Sequence, residues 1–205
     1  DISFIAGASI SCGTGTAWGA LERLDLKANQ TIAIFGMGPV GLSAVMLANS
    51  MGAKIIALDT NKQRLDRSIE FGADIIINPE ESGDLLTEIK DHTKGLGVNA
   101  SIDASSSSSA RSNSVKCVKT WGKACFVGEG GEVTLDVSND LLRRQVTLIG
   151  SWTFSKYGQA ECADFVAEKN LDVDKLFTHK WSLNQAVEAY ELFDNQSDGK
   201  GVFIP

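Results

Sequence analysis

The sequence predicts an α/β fold in which a doubly wound parallel sheet carries helices on both faces. Six short runs rich in apolar and β-branched residues alternate with segments of helical period between residues 31 and 150. A strand buried on both faces of a parallel sheet needs such a run, and the alternation with helices implies right-handed crossovers. The predicted strands are Thr31–Gly36, Lys54–Asp59, Asp74–Asn78, Val98–Asp103, Lys123–Gly128 and Val146–Gly150.

The segments between these strands carry residues suited to helix boundaries. Pro39 can occupy a first helical turn, where its missing N–H is not needed, and Gly52 and Gly72 follow helical segments, where a left-handed residue is favoured. Beyond residue 150 we expect a tail that belongs either to the edge of the sheet or to a neighbouring domain. The predicted helices are Pro39–Met51, Asn61–Phe71, Asp84–Lys94, Ala110–Thr120, Tyr157–Asn170 and Leu183–Asp194, and the predicted closing strand is Lys200–Ile204.

Composition argues against two classes of partner. The formal charge of −7 over 205 residues would repel the phosphates of a nucleic acid across most of the surface. No run approaches the roughly 18 to 20 apolar residues that a membrane span needs, and the first residues lack the basic region of a signal peptide. The four cysteines form no C-x-x-C pair and are widely spaced, which favours a reducing, cytoplasmic location.

The most informative motif is the glycine-rich segment Gly36-Met37-Gly38-Pro39-Val40-Gly41. It follows an apolar strand, opens a helix and precedes a second strand, and this context is typical of the dinucleotide-binding loop of a Rossmann fold. Gly36 is expected to make the tight turn, Gly38 to let the backbone approach a pyrophosphate, and Gly41 to let the helix pack closely on the strand. The pyrophosphate would meet unpaired N–H groups at the positive end of the helix. The alternative is a tight strand-to-helix turn without a ligand.

Asp59 lies eighteen positions after Gly41, at the end of the second predicted strand. A carboxylate there can accept hydrogen bonds from the ribose hydroxyls of NAD and would repel the 2′-phosphate of NADP, so NAD is favoured. Asp59 could instead cap the helix that begins near Asn61, and both roles can coexist. Lys62 and Arg64 keep NADP open because a cation can accommodate its phosphate. Arg64 is either a neighbour of the adenosine ribose or a solvated cation.

The stretch from Ser11 to Gly41, SCGTGTAWGALERLDLKANQTIAIFGMGPVG, resembles the zinc-containing medium-chain alcohol and polyol dehydrogenases. In that family a "CGxxTxxGA"-like stretch precedes the coenzyme domain, and here it reads CGTGTAWGA at residues 12–20. The resemblance continues through FGADIIINPEE and FVGEGGEVTL to the closing GKGVFIP. It therefore covers essentially the whole chain.

This resemblance implies roles for residues outside the glycine-rich loop. Cys12, which taken alone would be interpreted as a buried thiol, would supply one thiolate to a catalytic zinc. Thr16 would lie near the nicotinamide as a catalytic residue. The further coenzyme contacts that the resemblance implies are Ser105 beside the adenosine ribose, Val127 and Gly128 in the nicotinamide pocket, and Ser151 and Thr153 on its further wall.

The resemblance also implies a chemistry and a missing domain. Zinc would polarise the oxygen of a small alcohol or polyol, and hydride would pass to NAD. A catalytic zinc takes three protein ligands, and the family draws two of them from an upstream domain that these residues lack. We expect residues 1–22 to connect to that domain, residues 23–155 to form the NAD(P)-binding domain, and residues 156–205 to form a tail belonging to or packed on the catalytic domain. The chain alone is expected to lack zinc and to be nearly inactive.

Two other functions stay open from the sequence. One is a zinc-free relative of the quinone reductases, against which Cys12 argues. The other is a non-catalytic NAD-sensing module, which would not need the stretch Cys12–Gly19. A homodimer through the sheet edge is a further expectation from the resemblance, with Glu132–Leu135 and Val146–Trp152 as the candidate edge.

Overall fold

Six parallel strands form the central sheet of the computed structural model, which describes residues 1–195 and 199–204. The spatial order is β3-β2-β1-β4-β5-β6, so the direction of winding reverses between β1 and β4. The crevice beyond the carboxyl ends of the strands at such a reversal is where open α/β sheets bind ligands. The predicted fold class is confirmed. The strands are β1 Thr31–Phe35, β2 Lys54–Leu58, β3 Ile75–Ile77, β4 Val98–Asp103, β5 Val118–Phe126 and β6 Thr147–Gly150.

Helices cover both faces of this sheet, and a small two-stranded sheet closes the C-terminal part. The helices are α1 Phe4–Ile10, α2 Gly13–Leu24, α3 Pro39–Ser50, α4 Lys62–Glu70, α5 Leu85–Asp91, α6 Ser108–Lys116, α7 Lys156–Glu168 and α8 Ala186–Asp194. The small sheet pairs β7 His179–Trp181 with β8 Gly201–Phe203. Short turns of π-helix (Val137–Leu142) and 3₁₀-helix (Val173–Leu176 and Leu183–Gln185) complete the element order. Among the described residues, no helix has the length and apolar character needed to cross a bilayer.

The pleat of each strand divides the core into two layers. Ile32 and Ile34 of β1 pack on the side of α2, α3 and α7, whereas Ala33 and Phe35 pack on the side of α5 and α6. All four side chains are at most 1% exposed. Full burial of an Ile or Phe side chain contributes about 1.5–3 kcal/mol. The strand ends are therefore firmly held, and the loops that follow them start from fixed positions.

Two predictions about element boundaries are wrong. The helix expected to continue to Thr120 ends at Lys116, and β5 already begins at Val118 instead of Lys123. An irregularity of the β4–β5 pairing explains the difference, because Trp121 adopts a positive φ of 64° and donates its N–H to the carbonyl of Arg144. The sequence pattern also did not predict α1 or α2.

The C-terminal part up to residue 177 shares a core with the sheet. Cys162 and Val166 of α7 are buried in the same cluster as Leu21 of α2 and Leu47 of α3. The Arg67 guanidinium of α4 also donates to the carbonyl of Leu176, at 3.0 Å. The predicted division of the chain at residues 22 and 155 is not decided by these contacts and stays a prediction.

Candidate functional site

The glycine-rich segment forms the turn between β1 and α3, and its shape explains two of its glycines. Gly36 has a φ of +93°, in the left-handed region that favours glycine. A Cβ at Gly41 would lie 1.7 Å from the carbonyl oxygen of Gly36, so only glycine lets α3 approach the strand this closely. Gly38, in contrast to Gly41, faces open space. Within the described part of the chain, no atom lies within 4 Å of a Cβ placed there. The loop is tight towards the sheet and open towards the crevice.

Backbone amides at the start of α3 are unused by the protein. Gly38 is the N-cap residue and its helix has no side-chain cap, while Pro39 at the first helical turn has no N–H. The amides of Gly38, Val40 and Gly41 donate no hydrogen bond to any described residue. Unpaired amides and the helix dipole together favour an anion at this end of a helix. The Met37 amide differs, since it donates to Oδ2 of Asp59 at 2.6 Å.

Asp59 joins the glycine-rich loop to the loop that follows β2. Its Oδ2 accepts from the Met37 amide, and its Oδ1 accepts from the Asn61 amide at 2.8 Å. Asn61, and not Asp59, caps α4, because its side chain accepts from the Arg64 amide at 3.1 Å. Each carboxylate oxygen has a second lone pair. Asp59 can therefore accept a hydroxyl donor from the crevice without giving up its backbone partners.

The largest cleft at this edge of the sheet, cleft A, has a volume of about 390 Å³ and lies at the carboxyl ends of β1, β2 and β4. Phe35, Leu58 and Leu85 give it an apolar wall. A smaller pocket of about 70 Å³ adjoins it and is lined by Pro39 and Arg67, with Gly38 and Arg64 shared between the two. Cleft A brings together five of the residues predicted from the sequence, namely Gly36, Gly38, Asp59, Arg64 and Ser105.

A second cleft, cleft B, has a volume of about 290 Å³. Ala104 lines both clefts, so the loop after β4 stands between them. The lining of cleft B also includes Ser106, Glu129 and Trp152. The predicted site residues found in its wall are Thr16, Val40, Val127, Gly128 and Thr153.

Four predicted residues lie outside the walls of clefts A and B: Gly41, Ser151, Cys12, and Pro39, which lines only the smaller pocket beside cleft A. Ser151 is only 7% exposed, and its amide donates to the carbonyl of Phe126 at the end of β5. Cys12 is exposed and immediately precedes α2. It lies one helical turn before Thr16, whose hydroxyl donates to the Cys12 carbonyl at 2.8 Å. Cys12 is thus accessible, contrary to the interpretation of a buried thiol.

Three charged residues near the clefts were missed by the sequence reasoning. Asp103 and Arg111 form a buried ion pair, with Oδ2 and Nε 3.3 Å apart. The ammonium of Lys200 lies 3.9 Å from the Cβ position of Gly13 and over the ring of Phe177, and it has no ion-pair partner among residues 1–195 and 199–204. Asp103 could have been noticed as an acid at the end of a strand. Arg111 and Lys200 had no local signal, because their neighbours are distant in sequence.

The pattern that defines a family described as zinc-binding dehydrogenase matches residues 39–168. The chain belongs to the zinc-binding dehydrogenase family. Within the fold just described, the matched residues run from the start of α3 to the end of α7, and so include β2 to β6. Cys12, Thr16 and Lys200 lie outside the matched range.

Similarity to individual relatives extends beyond that range. A zinc-type alcohol dehydrogenase-like protein of Escherichia coli strain K12 is 33% identical over 205 residues, which cover 98% of this chain and 57% of the relative. The crystal structure of an alcohol dehydrogenase from Thermotoga maritima matches with a TM-score of 0.90 at 26% identity, covering 97% of this chain and 56% of the other. A 2R,3R-butanediol dehydrogenase from Bacillus subtilis matches with a TM-score of 0.82 at 25% identity, covering 96% and 56%. The chain spans a little more than half the length of these relatives.

The donor set for a metal is incomplete in the described part of this chain. No group of three His, Cys, Asp or Glu side chains there could hold a metal ion, and a catalytic zinc takes three protein ligands. Cys12 offers a single accessible sulfur. The other three thiols are poor ligands at neutral pH, because burial raises the pKa of each to about 12. They are Cys117, Cys125 and Cys162.

Proposed function

We propose that this chain is the NAD(H)-binding part of a zinc-dependent alcohol or polyol dehydrogenase. The observation that supports this most strongly is the set of three unused amides at Gly38, Val40 and Gly41, next to the open space at Gly38. A pyrophosphate can accept from such amides without a bound cation. The ammonium of Lys200, beside the first turn of α2, adds positive charge on the same side as Val40. The net negative charge of the chain is therefore no obstacle.

The two clefts suit the two halves of the dinucleotide. Cleft A would receive the adenosine, with the carboxylate of Asp59 accepting from the ribose hydroxyls and Ser105 and Arg64 beside them. Its apolar wall would contact the adenine. Cleft B would receive the nicotinamide between Val127, Gly128 and Thr153, with Ser151 behind that wall. Because the loop of Ala104–Ser106 separates the clefts, the pyrophosphate would cross at the glycine-rich turn.

Bound NAD supplies the hydride acceptor, and the protein supplies position and polarity. The Thr16 hydroxyl already donates to the Cys12 carbonyl, so its oxygen is left as an acceptor towards cleft B. It would accept a hydrogen bond from the nicotinamide carboxamide or from the neighbouring ribose. The amides of Val127 and Gly128 both donate to the carbonyl of Asp103. This fixes the backbone against which the nicotinamide ring would pack.

The described residues do not form a complete zinc site, so Cys12 is the one residue of this chain that we propose as a zinc ligand. We propose that Cys12 gives one sulfur ligand and that the others come from protein outside this chain, which accordingly has little turnover alone. Residues 1–22 would connect to that part, residues 23–155 would bind the coenzyme, and residues 156–205 would belong to the catalytic domain or pack on it. The whole enzyme would act on a small alcohol or polyol in the cytoplasm.

We also propose a homodimer through the free edge of β6. Leu148 of β6 is 39% exposed, and Leu142 and Trp152 on either side of it are each 66% exposed. An exposed strand edge with apolar neighbours is suited to pairing with a second copy. The measurement is the molar mass by light scattering, with Leu148→Lys as the variant that would break the dimer and a monomeric wild type as the contrary result.

Coenzyme choice is tested by titrating the chain with NADH and NADPH. The Asp59 carboxylate predicts that NADH binds more tightly than NADPH. Asp59→Asn should reduce the ratio of the two affinities, because it removes the charge that repels a 2′-phosphate. The matched control is Asp66→Asn, which removes an exposed carboxylate of α4 that pairs with Lys62. Tighter binding of NADPH by the wild type would contradict NAD as the coenzyme, and absence of binding of both would contradict the proposed function.

A further inference from the structure

We propose that the buried pair Asp103–Arg111 is a positioning device that couples the two clefts, so that the adenosine half of the coenzyme pre-forms the pocket for the nicotinamide half. This inference rests on the proposed coenzyme site. Asp103 ends β4, and its side chain is fully buried, while that of Arg111 on α6 is 8% exposed. Neither side chain lines cleft A or cleft B. Their effect on a ligand must therefore pass through the loops they hold.

The Asp103 carboxylate holds the loop that separates the clefts. Its Oδ1 accepts from the amide and the hydroxyl of Ser105, at 3.1 and 2.6 Å, and its Oδ2 accepts from the amide of Ser106 at 3.3 Å. Ser105 lines cleft A and Ser106 lines cleft B. Ser106 also has a positive φ of 67°, which a residue other than glycine adopts at a cost in free energy. One carboxylate thus sets both walls and maintains a strained backbone between them.

Arg111 connects the Asp103 carboxylate to the loop that follows β5. Its Nε donates to Oδ2 of Asp103, and a terminal nitrogen donates to the carbonyl of Gly128 at 2.6 Å. The guanidinium lies over the ring of Phe126, with 5.6 Å between its carbon and the ring centroid. A planar guanidinium can make these contacts in fixed relative directions. Movement of Ser106 would therefore be transmitted to Gly128, in the wall of cleft B.

The two loops also touch directly, which leaves little freedom for independent movement. A Cβ at Gly128 would lie 2.6 Å from the Ser106 nitrogen, and a Cβ at Gly131 would lie 2.6 Å from the Ser106 carbonyl oxygen and 3.3 Å from a terminal nitrogen of Arg111. Contacts this close mean that the loops have one common arrangement. A ligand that orders Ser105 in cleft A should order the wall of cleft B as well.

The test compares binding of AMP, which reaches only cleft A, with binding of NADH. The variant is Asp103→Asn/Arg111→Met, since replacing both members of a buried ion pair avoids an uncompensated charge. It should bind AMP within about threefold of the wild type, because asparagine keeps an acceptor oxygen for Ser105 in cleft A. It should bind NADH about tenfold more weakly, the loss expected when one hydrogen bond to a charged group is removed. Arg111→Lys keeps the charge but lacks the planar guanidinium, and its affinity for NADH should lie between those of the wild type and the double variant. Arg143→Met, at an exposed arginine bonded to Asn139, is the matched control and should change neither affinity.

A merely structural role would weaken AMP and NADH equally, and that result, or no change in either, would overturn the coupling while leaving the proposed function intact. If the wild type binds neither AMP nor NADH, both the coupling and the proposed function are contradicted. If the double variant does not fold, hydrogen exchange of the wild type tests the coupling between the clefts instead. AMP should slow exchange of the amides in residues 127–131, which it does not reach, and unchanged exchange there would overturn the inference.

Discussion

Substituting alanine at two glycines of the same loop should separate the stability of the fold from coenzyme binding. At Gly41 the added Cβ would lie 1.7 Å from the Gly36 carbonyl oxygen. Real contacts of this kind stay above 3.0 Å, so α3 and the end of β1 must move apart by more than 1 Å. Overpacking of a core costs about 1–3 kcal/mol. Because the obstacle here is backbone, we expect Gly41→Ala to lower the free energy of unfolding by about 3 kcal/mol or more.

Gly38→Ala adds the same methyl group with the opposite outcome. Gly38 has φ −72° and ψ −174°, which alanine adopts without strain, and the space around its Cβ position is open within the described residues. The free energy of unfolding should stay the same or rise by less than about 1 kcal/mol. The methyl group would occupy the space proposed for the pyrophosphate, so the affinity for NADH should fall by about tenfold or more, equivalent to about 1.4 kcal/mol.

Urea denaturation followed by circular dichroism gives the stability of both variants, and calorimetric titration gives the affinity of Gly38→Ala for NADH. The reasoning is refuted if Gly41→Ala is as stable as the wild type. It is equally refuted if Gly38→Ala is stable and binds NADH with unchanged affinity, because the coenzyme would then not pass the glycine-rich turn.

Three further predictions concern stability and the thiols. Arg67→Ala should lower the free energy of unfolding by about 1–3 kcal/mol, because the guanidinium donates to the carbonyls of Lys175 and Leu176. Arg64→Ala, which removes no side-chain hydrogen bond seen among the described residues, should change it by less than about 0.5 kcal/mol in the same urea titration. Iodoacetamide at pH 8 should modify only Cys12 in the native chain, as read by peptide mass spectrometry, and modification of a buried thiol at the same rate would contradict the packing. Stability should also fall as the pH rises above about 8.5, because unfolded thiols then lose protons that the native state retains, by up to about 1.4 kcal/mol per pH unit for each thiol. Thermal melts from pH 8 to 10.5 measure this slope, and Cys162→Ala should flatten it. The native pKa is raised to about 12 at Cys117, Cys125 and Cys162.

The central sheet could be predicted from the sequence because its strands are buried on both faces. A continuous apolar run such as Ile32–Phe35 is typical of a strand that helices cover on both faces. The N-terminal helices could not be predicted, because α2 contains Gly13, Gly15 and Gly19, which disfavour helix. Tertiary packing overrides that tendency. A Cβ at Gly15 would lie 2.8 Å from the Phe154 ring, and one at Gly19 would lie 2.9 Å from the Thr153 carbonyl oxygen.

The candidate site, like the fold, could be predicted from the sequence only in part. The glycine-rich loop and Asp59 could be located because their spacing follows from one strand-helix-strand unit. The residues of cleft B came from the family resemblance, since Thr16, Val127 and Thr153 meet only after the sheet has formed. The pairing of Asp103 with Arg111 could not be predicted, although Asp103 alone stands at the end of a predicted strand. Arg111 lies within a predicted helix, and its second partner, the Gly128 carbonyl, follows a different strand.

Backbone ¹⁵N–¹H spectra of the chain, recorded while NADH is added, test the coenzyme site most directly. The amides of Gly38, Val40 and Gly41 should show large shifts at saturation, because they acquire acceptors only when the pyrophosphate binds. The Met37 amide, already bonded to Asp59, should move less. Unchanged signals for Gly38, Val40 and Gly41 at an NADH concentration that shifts other residues would place the coenzyme elsewhere and contradict the proposed site.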